Sequence, residues 1–93
     1  MRTVYKYEVP FEDYFMLQLP KEASFLSFAE QKGNLFLWTL VDTEKAITSY
    51  NFRLTGTGHP LPQMANLRHI GTCRAPIVDS NVVWHLFLLE GSL

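Results

Sequence analysis

The chain has 93 residues, which suits one domain spanning 1–93 with one hydrophobic core. With 47% hydrophobic and 18% charged residues it belongs with folded globular proteins and not with disordered ones. Lys and Arg number 8 against 9 Asp and Glu, and the basic residues stand singly along the chain, which excludes the clustered cations that nucleic acid requires.

A chain this short buries only about 60–65% of the surface its unfolded form exposes, so close packing or association between subunits must supply stability. The single cysteine, Cys73, forms no disulfide within the chain, and a secreted domain of this size would commonly carry several. A reducing, cytoplasmic setting is therefore expected. No stretch approaches the roughly 20 apolar residues of a membrane helix, and the N-terminus lacks the apolar core of a signal peptide.

Seven strands are predicted, at 3–9, 13–19, 24–31, 34–41, 46–55, 67–73 and 81–90, each closed by turn residues. Pro10 ends the first and Pro20 the second. Strands 24–31 and 34–41 form the clearest hairpin, around Lys32-Gly33-Asn34, where Gly33 supplies the positive φ of a tight turn. In 34–41 one face carries Leu35, Leu37, Thr39 and Val41 and the other Phe36, Trp38 and Leu40, so neither face is suited to water.

Strand 46–55 has the half-buried pattern, with Tyr50, Phe52 and Leu54 on one face and Ser49, Asn51 and Arg53 on the other. The Gly56-Thr57-Gly58-His59-Pro60 loop follows, and Leu61 to Asn66 has room for at most one helical turn. Strand 67–73 brings His69 and Cys73 to one face, about 13 Å apart. Strand 81–90 is again apolar on both faces, with Val82, Trp84, Leu86 and Leu88 against Val83, His85, Phe87 and Leu89. The spacing predicts an all-β fold of six or seven strands, an antiparallel meander closed into a small sandwich or partly open barrel.

One core covers one face of each strand, so the second faces of 34–41 and 81–90 need cover. Either a second subunit meets them through Phe36, Trp38, Trp84, Leu86 and Phe87, or the Pro-rich segments 59–66 and 74–80 fold over them.

Candidates for chemistry are few. The glycines and amides of Gly56, Thr57, Gly58 and His59, with Arg53 as charge partner, suit an anion-binding nest, or else only a sharp turn. His59, His69, His85 and Cys73 follow no zinc-ligand spacing, so neither a metal nor another cofactor is expected. Cys73 with a histidine lacks any catalytic signature, and no catalytic residue is assigned. His85, between Val83 and Phe87, reads as a hydrogen-bonded histidine in the core or at an interface.

Taken in order, Val4-Tyr5-Lys6-Tyr7, Leu37-Trp38-Thr39-Leu40-Val41-Asp42, Gly56-Thr57-Gly58-His59-Pro60, His69-Ile70-Gly71-Thr72 and Val83-Trp84-His85-Leu86-Phe87 resemble a small uncharacterised family found largely in bacteriophage and prophage genomes. The resemblance implies a phage-encoded protein acting in the cytoplasm of a bacterial host, and it carries over no catalytic residue. The expectation is a non-enzymatic, self-associating module that binds a host or phage protein, as an inhibitor or adaptor. A nucleotide- or anion-binding protein using the Gly56 to Pro60 loop is the alternative.

Overall fold

Alternation of apolar residues between turns produces seven strands in the computed structural model, which describes residues 1–61, 63, 66–76 and 79–90, the side chains of 79 and 80 excepted. They are β1 (Arg2–Val9), β2 (Tyr14–Pro20), β3 (Ser24–Gln31), β4 (Asn34–Asp42), β5 (Ile47–Gly56), β6 (Leu67–Ala75) and β7 (Asp79–Leu89). The fold is all-β, two antiparallel sheets packed as a small sandwich that does not close into a barrel. Among the described residues there is no helix, and so none long and apolar enough to cross a membrane. Residues 62, 64 and 65 of the helical turn expected at 61–66, and 77 and 78 of the 74–80 segment, lie outside the described ones, while 74–75 belong to β6 and 79–80 to β7.

The order of pairing differs from the expected meander. One sheet runs β1-β4-β3 and the other β2-β5-β7-β6. Only β3 with β4, and β6 with β7, pair as sequence neighbours. After β1 the chain passes to the other sheet at Pro10, and β2 ends at Pro20 before the chain returns for β3. Proline lacks the N–H that would continue a ladder, so these positions end strands without obliging the chain to fold back on the same sheet. Lys32 and Gly33, by contrast, both take positive φ (53° and 88°), the two-residue turn that makes β3 and β4 a hairpin.

The core forms between the sheets from alternate residues, as the strand patterns require. Leu35, Leu37, Thr39 and Val41 of β4 point inward, as do Phe52 and Leu54 of β5 and Leu86 and Leu88 of β7. Phe52 lies at the centre, stacked on Phe15 at 5.0 Å and met edge-on by Phe25 at 5.7 Å. Each such side chain contributes about 1.5–3 kcal/mol by leaving water.

Edge strands β3 and β6 lie side by side where the two sheets meet. The approach is close enough that a Cβ on Gly71 would sit 3.0 Å from the Phe28 Cβ. Both strands are bulged beside this seam, β3 at Leu26 and β6 at Ile70. A bulge adds one residue to one strand and reverses the facing of everything beyond it.

Candidate interaction surfaces

The outward face of β4 carries Phe36, Trp38 and Leu40 in the middle of the three-stranded sheet. The register sets Val4, Lys6 and Glu8 of β1 beside them on one side, and Ser24, Ser27 and Ala29 of β3 on the other. Flanking strands cover a central strand only partly, and no described element packs above it. The three β4 residues are half-buried, while Val4 is 51% and Leu26 53% exposed.

Lys6 lies across this face. Its ammonium is 4.2 Å from the Phe36 ring centre and 5.6 Å from that of Trp38, and it donates to the side-chain carbonyl of Gln31 on β3. The contact is a cation over aromatic rings, and the lysine stem shields part of an otherwise open apolar patch.

The outward face of β7 meets a different fate. β5 ends with Gly56 opposite Trp84, whereas β6 begins with Leu67 opposite Leu89. Both strands are antiparallel to β7 and therefore parallel to each other, so the chain that leaves β5 at the level of Trp84 enters β6 at the level of Leu89. The connection starts over the outer face of β5, where the Pro60 carbonyl accepts a bond of 3.1 Å from Arg53 Nη2. Arg53 is only 7% exposed, its guanidinium 4.6 Å from the Tyr14 ring centre. Arg53 therefore tethers the crossover to the sheet.

The Gly56 to Pro60 loop is a tight turn in which the His59 amide donates to the Gly56 carbonyl at 3.0 Å and Gly58 takes a φ of 85°. The Thr57 amide donates to Val83 O at 3.0 Å, extending the ladder to β7. Two of the amides read as anion donors are thus bonded to the chain's own carbonyls. The His59 ring folds back over Gly56, where a Cβ would sit 2.7 Å from its Cε1, and lies edge-on to Trp84 at 6.3 Å.

Beside this turn, polar side chains form one continuous row across the outer face. His69 Nε2 is 2.9 Å from Thr72 Oγ1, which is 3.0 Å from His85 Nδ1, and His85 Nε2 is 2.6 Å from Thr57 Oγ1. With both rings neutral and protonated on Nε2, every bond has one donor: His69 donates to Thr72, Thr72 to His85, His85 to Thr57, and Thr57 to Val83 O at 3.4 Å. The row needs the bulge at Ile70. Without it His69 and Cys73 would share a face, as strict alternation predicts; instead His69 joins Thr72 outside and Cys73 turns inward, opposite Trp84.

Burial raises the Cys73 thiol to about 11, with the Glu30 charge adding to the shift, so the thiol is protonated at neutral pH. A neutral thiol facing inward, away from the histidine row, is poorly placed as a nucleophile.

The five residues read as a contact surface therefore separate. Phe36 and Trp38 share the open face of β4, and Phe87 lies on the outer face of β7 beside the His69 ring at 5.5 Å. Trp84 and Leu86 point into the sandwich, Leu86 with no exposure at all. Leu40 completes this face of β4, as the alternation predicts; Val4 and Lys6 of β1 flank it and Leu26 is exposed at the β3 bulge, and these three were not legible in the sequence. The signal that would find the first two is the pairing of β1 with β4, which places the even residues of β1 beside Trp38.

A protein-family model described as a domain of unknown function, DUF7352, matches residues 1–92. No curated protein and no solved structure matches the chain.

Proposed function

The chain belongs to the DUF7352 family, and from that premise we propose that it is a non-enzymatic, self-associating protein-binding module. Its contact surface is the outer face of the three-stranded sheet, built from Phe36, Trp38 and Leu40 with Val4 and Leu26. The observation that carries this reading is that β4 is apolar on both faces and that, among the described residues, no element packs over the outer one. Aromatic residues in a contiguous open patch are the usual anchors of protein interfaces.

The histidines and the cysteine weigh against catalysis, since His69 and His85 are bonded into a threonine row and the Cys73 thiol is neutral. The resemblance to phage-encoded families suggests a host or phage protein as partner in a bacterial cytoplasm, and the role of an inhibitor or adaptor.

A photo-crosslinking amino acid at Leu26, on the open face, tests the reading inside a bacterial cell, with the same probe at Ser49 on the other sheet as control. A discrete crosslinked partner at Leu26 only, lost when Trp38 is replaced by Ser in a chain that still folds, is the expected result. Equal labelling at both positions, or labelling indifferent to Trp38, overturns it.

A further inference from the structure

β1 is an edge of its sheet, paired to β4 on one side only. The Thr43 amide donates to the Met1 carbonyl at 2.8 Å, and the Thr39 hydroxyl reaches the Tyr5 carbonyl at 3.5 Å. The odd residues of β1 therefore bond to β4. In an antiparallel ladder bonding alternates, so the N–H and C=O groups of Arg2, Val4, Lys6 and Glu8 face away from the sheet. These groups offer a complete template for one more strand.

We propose that this strand is β1 of a second copy, running antiparallel about a two-fold axis at Tyr5, so that the two three-stranded sheets join into one. The proposal rests on the reading that the chain works through protein contacts, and it names one partner and its register.

Charge and overlap together select the register. Because the edge groups belong to even residues, even must stand opposite even, and four two-fold registers keep five or more residues of β1. An axis at Tyr7 sets Lys6 opposite the partner's Glu8 but keeps only residues 5–9 and leaves Arg2 without a partner. An axis at Val4 sets Arg2 opposite the partner's Lys6, and an axis at Lys6 sets Lys6 opposite itself. Both place like charges together, which is unfavourable across strands. An axis at Tyr5 sets Arg2 opposite the partner's Glu8 and Glu8 opposite the partner's Arg2, with Val4 against the stem of Lys6. Arg2 and Glu8 are exposed and make no ion pair among the described residues, so both are available.

Two further observations agree. Tyr5 is 42% exposed although it lies on the inward side of β1, beside Tyr7 at 6.2 Å, and pairing at the axis covers it with its own copy. Of the edges of the other sheet, β6 lies against β3, and β2 ends in Pro20, which has no N–H to donate. Joining through β1 also sets the Phe36 and Trp38 faces of both copies side by side on one continuous sheet.

Sedimentation equilibrium of the full chain gives the mass. The expected result is a dimer that Glu8→Arg or Arg2→Glu weakens about tenfold or more, since each change makes two opposed pairs repulsive, and that the double swap restores. Because both single variants sit on exposed positions, rescue by the swap separates pairing from folding. Register is read separately: with Cys73 replaced by Ala, Tyr5→Cys crosslinks to its copy under mild oxidation, while Lys6→Cys does not. Residues opposed at a non-bonded antiparallel position come within disulfide reach.

A monomer, or a dimer indifferent to charge reversal, overturns the proposal. If such a dimer separates instead on Trp38→Ser, the copies meet through the open face, and the edge register fails while the protein-binding reading stands. If the charge swap rescues the dimer but the Leu26 probe labels no partner, the edge pairing holds and the open-face reading fails.

Discussion

Strands β4 and β7 look alike in sequence, apolar on both faces, and each lies inside its sheet between two partners. Their inner faces share one core, but their outer faces differ. Beside β7 the start of a crossover that joins two parallel strands is tied down over β5 by Arg53, and a threonine and histidine row runs across the outer face. Over β4, among the described residues, lies the side chain of Lys6. A doubly apolar strand thus signals a need for cover without saying whether cover comes from the same chain, and here the two strands give both answers.

The inner faces should behave alike and fail hard. Leu37→Ala on β4 and Leu86→Ala on β7 each remove a fully buried side chain, and each should cost about 2–5 kcal/mol in urea unfolding. A markedly smaller loss at either would mean that its inner face is not closed.

The next contrast lies outside. Arg53→Ala unties the crossover and leaves the Pro60 carbonyl without its donor, which should cost about 1–3 kcal/mol. Trp38→Ser removes a larger side chain from an open face and should cost less, about 1 kcal/mol, while abolishing the Leu26 crosslink. Equal losses in the two variants would break the distinction between a covered and an uncovered face. Smaller still is Thr72→Val, which removes the link between His69 and His85 and should cost about 0.5–1.5 kcal/mol. Hydrogen-exchange protection should fall locally at β6 and the end of β5.

Most of the strands were legible because alternation is written in the strand's own residues. Leu35, Leu37 and Val41 fall on one face of β4 and Phe36, Trp38 and Leu40 on the other without reference to any partner, although which face is inner is not written there, and Lys32-Gly33 marks its hairpin. What stayed hidden belongs to pairs of distant segments. Nothing in Val4-Tyr5-Lys6-Tyr7 names β4 as its neighbour, and Pro10 and Pro20 end strands identically whether the chain turns back or crosses to the other sheet. The bulge at Ile70 is equally silent, since Ile70-Gly71 continues an acceptable alternation. It is nonetheless what brings His69 to His85 and sends Cys73 inside. The open face was half visible: Phe36 and Trp38 were legible, but their neighbours Val4 and Lys6 depended on the pairing.

Cys73 gives the finest reading of how closed the inner side of β7 is. Opposite Trp84, its thiol is raised to about 11 by burial, above its unfolded value near 9. Below about pH 9 both states hold the proton, and stability does not depend on this group. Between about 9 and 11 the unfolded chain releases the proton while the folded one keeps it, so the unfolded state gains and stability falls as pH rises. Tyr7, also raised by burial, lowers stability in the same direction at the upper end of this range. Comparing the urea midpoints of the wild-type chain and Cys73→Ala from pH 8 to 10.5 cancels the tyrosine contribution. The expected difference is a shallower decline in the variant. Alkylation of the folded wild-type thiol at pH 8 should also run about a hundredfold slower than that of the unfolded chain, because only the thiolate reacts. Parallel declines with rapid labelling would mean that water reaches the inner face of β7 as freely as it reaches the outer face of β4, and the contrast between the two strands would be lost.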